Sequence, residues 1–171
     1  ARLGAYVIDA DKVYHSLIRP GKNCYKKIVR HFGKGILGKA AQIDRKKLGK
    51  VVFKEKSKLK LLNNLVHPEI VKEIKSRIKS ARLKVIVIDA ALLLESGFYK
   101  DMDKIILVSN KIEKQIERIR KDRALSGSDT LERIRMQMPL KKKLAFADFI
   151  IDNSGSKTKT LTQVRAIWKK Q

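Results

Sequence analysis

Two kinds of apolar pattern divide the chain. Four short runs are almost continuously apolar and rich in β-branched residues: AYVID at 5–9, KVIVID at 84–89, KIILVS at 104–109 and FIID at 149–152. Such runs predict parallel strands covered on both faces, since a half-exposed strand would alternate apolar with polar positions. Between them the apolar residues recur at helical spacing. Val13, Leu17 and Ile18 follow Asp11 until Arg19, Pro20 and Gly21 intervene, and Ile28, Val29 and Phe32 share one face of KKIVRHF. Asp44 is placed to cap a helix through Leu48, Val51 and Val52, and Ser57 to cap LKLLNNL. His67 and Pro68 then read as a restart, with Pro68 suited to the first turn of a helix that reaches Ala81.

The order is therefore strand, helices, strand, helix, strand, helices, strand, helix, which is the α/β signature. Residues 12–83 are too many for a simple crossover and predict a mostly helical subdomain inserted beside the sheet, within a single domain over 1–171. A cation-rich excursion lies within 112–146, between the third and fourth strands.

Composition narrows the class. The longest apolar run, VIVIDAALLL, is interrupted by Asp89 and is too short to cross a bilayer, so the expectation is a cytoplasmic protein with no membrane partner. The single cysteine excludes an internal disulfide, and three scattered histidines argue against a bound structural metal. The net charge of +24 favours polyanionic partners. Nucleic acid fits poorly, because there is no zinc-finger spacing and only 6% of residues are aromatic. Multiply phosphorylated small molecules fit better, although lysines at exposed helical spacing, as in KEIKSRIKS, account for part of the charge.

GKGILGKA at 33–40 differs from the phosphate-loop pattern G-x-x-x-x-G-K-[ST] only at Ala40. That one difference removes the hydroxyl that would ligate Mg²⁺, and the stretch follows a helical segment instead of a strand. It reads as a Gly-rich surface loop.

Ligands of open α/β sheets bind beyond the carboxyl ends of the strands. Those ends carry Asp9 and Asp11, then Asp89 and Glu95, then Asp152 and Asn153, while Arg118 and the run Lys141, Lys142 and Lys143 supply cations. A carboxylate that takes a hydroxyl proton, with cations over a transferring phosphoryl group, is the chemistry of phosphoryl transfer. Taken alone, either Asp9 or Asp11 is as well explained as a helix cap.

The segments GAYVIDADKVYHSLIRPG, HFGKGIL, IDRKKLGKVVF, LVHPEI, LLLESGFYKDMDKIILV and RIRMQMPLKKKLAFADFIIDNSG, in that order from Gly4 to Gly155, resemble the dephospho-coenzyme A kinase family. The resemblance implies a P-loop kinase fold with a coenzyme A subdomain at 12–83 and a lid at 112–146. It also implies transfer of the γ-phosphate of ATP, with Mg²⁺, to the 3′-hydroxyl of dephospho-coenzyme A. By position, Asp11 matches the base. His15, Arg45, His67 and Glu95 fall in segments on the acceptor side, Arg118 and Lys143 match lid cations near ATP, and Asn153 matches the adenine-side loop. His67 is equally explained as a helix boundary and Arg45 as a first-turn surface residue. A monomer is favoured. The chain departs from the family at Ala91, where Pro is usual, and at Asp122-Arg123, where the order is reversed.

The family's first strand and phosphate loop precede the segment matched here by GAYVIDAD, so the resemblance implies that the ATP cradle and a central strand are absent. The runs at 84–89 and 104–109 are then expected to lie about two strand spacings apart without pairing. Two rival readings remain: a nucleoside monophosphate kinase of related fold, and a basic nucleic-acid-binding module.

Overall fold

In the computed structural model, which describes residues 2–123 and 137–170 (backbone alone for 118–123), the four apolar runs form four strands. Strand β1 (Tyr6–Asp9) pairs in parallel with β2 (Ile86–Asp89), bringing Asp9 opposite Asp89. Strand β3 (Ile106–Ser109) pairs in parallel with β4 (Phe149–Asp152), bringing Ser109 opposite Asp152. Each ladder has two strands among the described residues. The runs predicted burial on both faces, yet Val7, Val87, Ile106, Val108 and Ile150 are exposed. In a two-stranded ladder every strand is an edge, and its side chains lack a neighbour on one flank. The chain divides into two compact units, Ala1–Ala91 and Leu92–Gln171.

The first unit holds four helices: α1 (Ala10–Leu17), α2 (Asn23–Phe32), α3 (Arg45–Val52) and α4 (Lys56–Ser80). Asp9 begins α1 by accepting the Lys12 N–H at 2.9 Å, and Asp44 begins α3 by accepting those of Lys46 and Lys47 at 2.9 and 3.1 Å. Helix α4 corrects the expected break at His67-Pro68. It starts at Lys56, not after a Ser57 cap, and continues through Pro68, which leaves the Asn64 carbonyl without its helical N–H donor. Packing explains the continuity. Leu59, Leu62, Val66 and Ile70 form one stripe against a core of Ile18, Cys24, Ile28, Ile36, Ile43, Leu48 and Val52. Each such side chain contributes about 1.5–3 kcal/mol when buried, so the stripe outweighs the ~3 kcal/mol cost of an interior proline. A 2.7 Å ion pair between Lys27 and Glu69 ties α2 to α4.

GKGILGKA lies between α2 and α3 as two 3₁₀ turns, Lys34–Ile36 and Lys39–Ala41, with Ile36 buried. Leu37 bridges Ile43, and the Tyr25 hydroxyl donates to the Ala41 carbonyl at 2.5 Å. Ala40 and Ala41 both adopt left-handed φ, 54° and 55°. No strand enters the loop and no phosphate-facing helix leaves it, so the surface-loop reading holds.

The second unit contains α5 (Ile112–Arg123), α6 (Leu140–Leu144) and α7 (Lys157–Trp168). Asp148 starts its ladder by accepting the Ile105 N–H at 2.8 Å and the Lys104 ammonium at 3.0 Å, and Ser156 caps α7. Residues 124–136 of the expected lid fall outside the described residues. No described helix is long and apolar enough to cross a membrane.

Candidate active site

The first unit gathers its candidate chemistry at the carboxyl end of the β1–β2 ladder. Both acidic residues of Asp9-Ala10-Asp11 suit a cap, but the backbone fixes the choice on Asp9. The Lys12 N–H, and then its ammonium at 3.5 Å, hold the Asp9 carboxyl below the usual carboxylate range. The Asp11 carboxylate is left exposed in the first turn of α1, with no hydrogen bond or ion pair among the described residues. One turn on, the His15 ring lies 5.5 Å from that of Tyr14. Arg45 is the exposed first residue of α3. The Tyr14 phenol is pushed up to about 12, chiefly by burial; the Cys24 thiolate and Asp11 add to the rise, and Arg45 opposes it. Asp11, Tyr14, His15 and Arg45 therefore share one neighbourhood. His67 is inside α4, half-buried, and is not a helix boundary.

The second unit holds the other candidates. Glu95 and Lys143 are 3.1 Å apart, with only 20% and 13% of their side-chain surfaces exposed, and Glu95 Oε1 also accepts the Met138 N–H at 2.8 Å. Arg118 is on α5, its side chain outside the described residues. Asn153 follows β4. Its N–H donates to the Ser109 carbonyl at 2.8 Å, and its side-chain carbonyl accepts the Thr160 hydroxyl at 3.0 Å. Asp152 accepts from Ser154, which keeps its carboxyl below the usual range.

A protein-family model described as dephospho-CoA kinase (CoaE) matches residues 1–159. The chain belongs to the dephospho-CoA kinase family. A dephospho-CoA kinase of Aquifex aeolicus is 43% identical over 168 residues, covering 98% of this chain and 85% of that protein. One from Carboxydothermus hydrogenoformans is 42% identical over 171 residues, covering 98% and 83%. Among solved structures, a protein of Thermus thermophilus is similar with a TM-score of 0.82 at 25% identity, covering 99% of this chain and 86% of that one. A dephospho-CoA kinase of Campylobacter jejuni has a TM-score of 0.66 at 31% identity, covering 98% and 86%. These likenesses bear out both the resemblance and the kinase-like α/β fold.

Within this dephospho-CoA kinase family chain, sequence reasoning missed the residues that support the loop after β4. The Gln163 side chain accepts the Asp152 N–H and donates to its carbonyl, both at 2.9 Å, as a neighbouring strand would. The Lys114 ammonium donates to the Ser154 carbonyl. Both are side chains that meet backbone distant in sequence, a contact for which no local pattern exists. Tyr14 escapes for another reason, since an aromatic at helical spacing reads simply as core.

Proposed function

We propose that Asp11 is the base with which this chain transfers the γ-phosphoryl group of ATP to the 3′-hydroxyl of dephospho-CoA, the last step of coenzyme A synthesis. The observation that carries the assignment is the commitment of Asp9 to the α1 cap, which leaves Asp11 as the open carboxylate beside the strand end. As the acceptor oxygen bonds to the γ-phosphorus, its proton passes to Asp11, the bond to the bridging oxygen breaks and ADP leaves. Arg45, grouped with Asp11 around Tyr14, and His15 beside it belong to the acceptor side, as does His67 within residues 12–83. Arg118 and Lys143, in the lid at 112–146, neutralise phosphate charge, and Asn153 borders the adenine. Two small phosphorylated substrates suit the net charge of +24 and a cytoplasmic setting.

No three metal-ligating side chains gather among the described residues. Asp89, exposed at the carboxyl end of β2 opposite Asp9, is the carboxylate that would be available to a largely hydrated magnesium ion carried on the ATP phosphates. Bound there, the ion would neutralise charge on the β- and γ-phosphates.

The test is Asp11→Asn in the full-length enzyme. Turnover should fall by about a hundredfold or more, with the KM for dephospho-CoA nearly unchanged. Turnover close to wild type would remove Asp11 from the role of base.

A further inference from the structure

Family resemblance places Glu95 with the acceptor, but its contacts lie elsewhere. One carboxylate oxygen takes two donors from a single short segment: the Met138 N–H at 2.8 Å and the Lys143 ammonium at 3.1 Å. Pro139, between them, opens the five-residue helix α6, and its carbonyl receives the N–H groups of Lys142 and Lys143. So short a helix has little stability of its own. Glu95 grips the residue before its opening proline and the residue one turn in, and both charged side chains of the ion pair are largely withdrawn from water. Such a pair is weakly screened, and charge-assisted bonds of this kind are the stronger ones.

We propose that Glu95 is a positioning residue for the segment 138–143, acting on ATP through Lys143, and does not contact dephospho-CoA. This rests on the reading of the chain as a dephospho-CoA kinase with Lys143 near the phosphates.

Three variants of the full-length enzyme test it: Glu95→Gln, Lys143→Met and the double substitution, each assayed for kcat and for both KM values. The amide of Glu95→Gln keeps an oxygen for the Met138 N–H and removes only the charge. This variant should raise the KM for ATP about tenfold, the worth of one charge-assisted bond, and leave the KM for dephospho-CoA unchanged. Added to Lys143→Met, it should cost nothing more, because the residues act as one unit. A raised KM for dephospho-CoA alone, multiplicative losses in the double variant, or no effect of Glu95→Gln would each overturn the proposal. Hydrogen exchange gives a readout independent of turnover. In Glu95→Ala the amides of Met138, Lys142 and Lys143 should exchange faster while those of β3 and β4 keep their wild-type rates, and unchanged exchange at Met138 would overturn the anchoring. A wild-type enzyme that does not phosphorylate dephospho-CoA would refute the assigned activity instead, leaving the exchange result to decide the anchor.

Discussion

The Tyr14 phenol should make the fold lose stability in alkali by a calculable amount. Tyr14 packs against the helical core, and burial holds its proton until about pH 12, whereas the unfolded phenol releases it near 10. Because the folded state binds the proton more tightly, this contribution is complete below pH 10 and disappears as the pH rises to 12. Moving a pKa that far is worth about 2–3 kcal/mol. Tyr14→Phe keeps the ring in the core and removes the titration. The Cys24 thiol, also raised by burial, and the many lysines titrate in both proteins and cancel in the comparison. Urea unfolding from pH 8 to 12 should therefore show wild type losing about 2–3 kcal/mol relative to Tyr14→Phe between pH 10 and 12, with a constant difference below pH 9. Parallel curves across the whole range would refute the reasoning, since they would mean that the folded phenol ionises as freely as the unfolded one.

Two backbone features give further expectations. Pro68→Ala should restore an N–H for the Asn64 carbonyl and stabilise the protein by about 1–3 kcal/mol in thermal or urea unfolding; a destabilised variant would contradict a continuous α4. Ala41→Gly should relieve a left-handed alanine and raise stability by about 1 kcal/mol, and a lower melting temperature would show that the loop owes its shape to something other than backbone tolerance.

Much of this architecture is legible along the chain because its signals are local. The β-branched runs form the four strands, and Asp44 caps α3 as its position before Leu48 implies. The continuity at His67-Pro68 is instructive. Proline is the strongest local breaker, but the stripe Leu59, Leu62, Val66 and Ile70 runs past it, and the buried Ile74 continues the same spacing. That periodicity is present in the sequence and outweighs the proline in the fold. The choice between Asp9 and Asp11 lies beyond pattern, since both fit a cap and only the backbone course decides which oxygen meets the Lys12 N–H. The Glu95–Lys143 pair is invisible for a different reason. Each residue reads naturally with its own segment, and nothing in either segment announces the other.

The helical core also sets an order of assembly during synthesis. Its buried members run from Ile18 to Val66 and include no residue of either strand. Tyr6, by contrast, meets its partner Ile86 only across the whole of that segment. As a nascent chain lengthens from its amino end, every side chain of the core has been made before the first residue of β2 exists. Until then β1 travels with its backbone amides and carbonyls unpaired, attached to helices that already have what they need to pack. When β2 is finally added, the folded helices have drawn the two ends together, and much of the entropy of closing so long a loop has been spent before the strands meet.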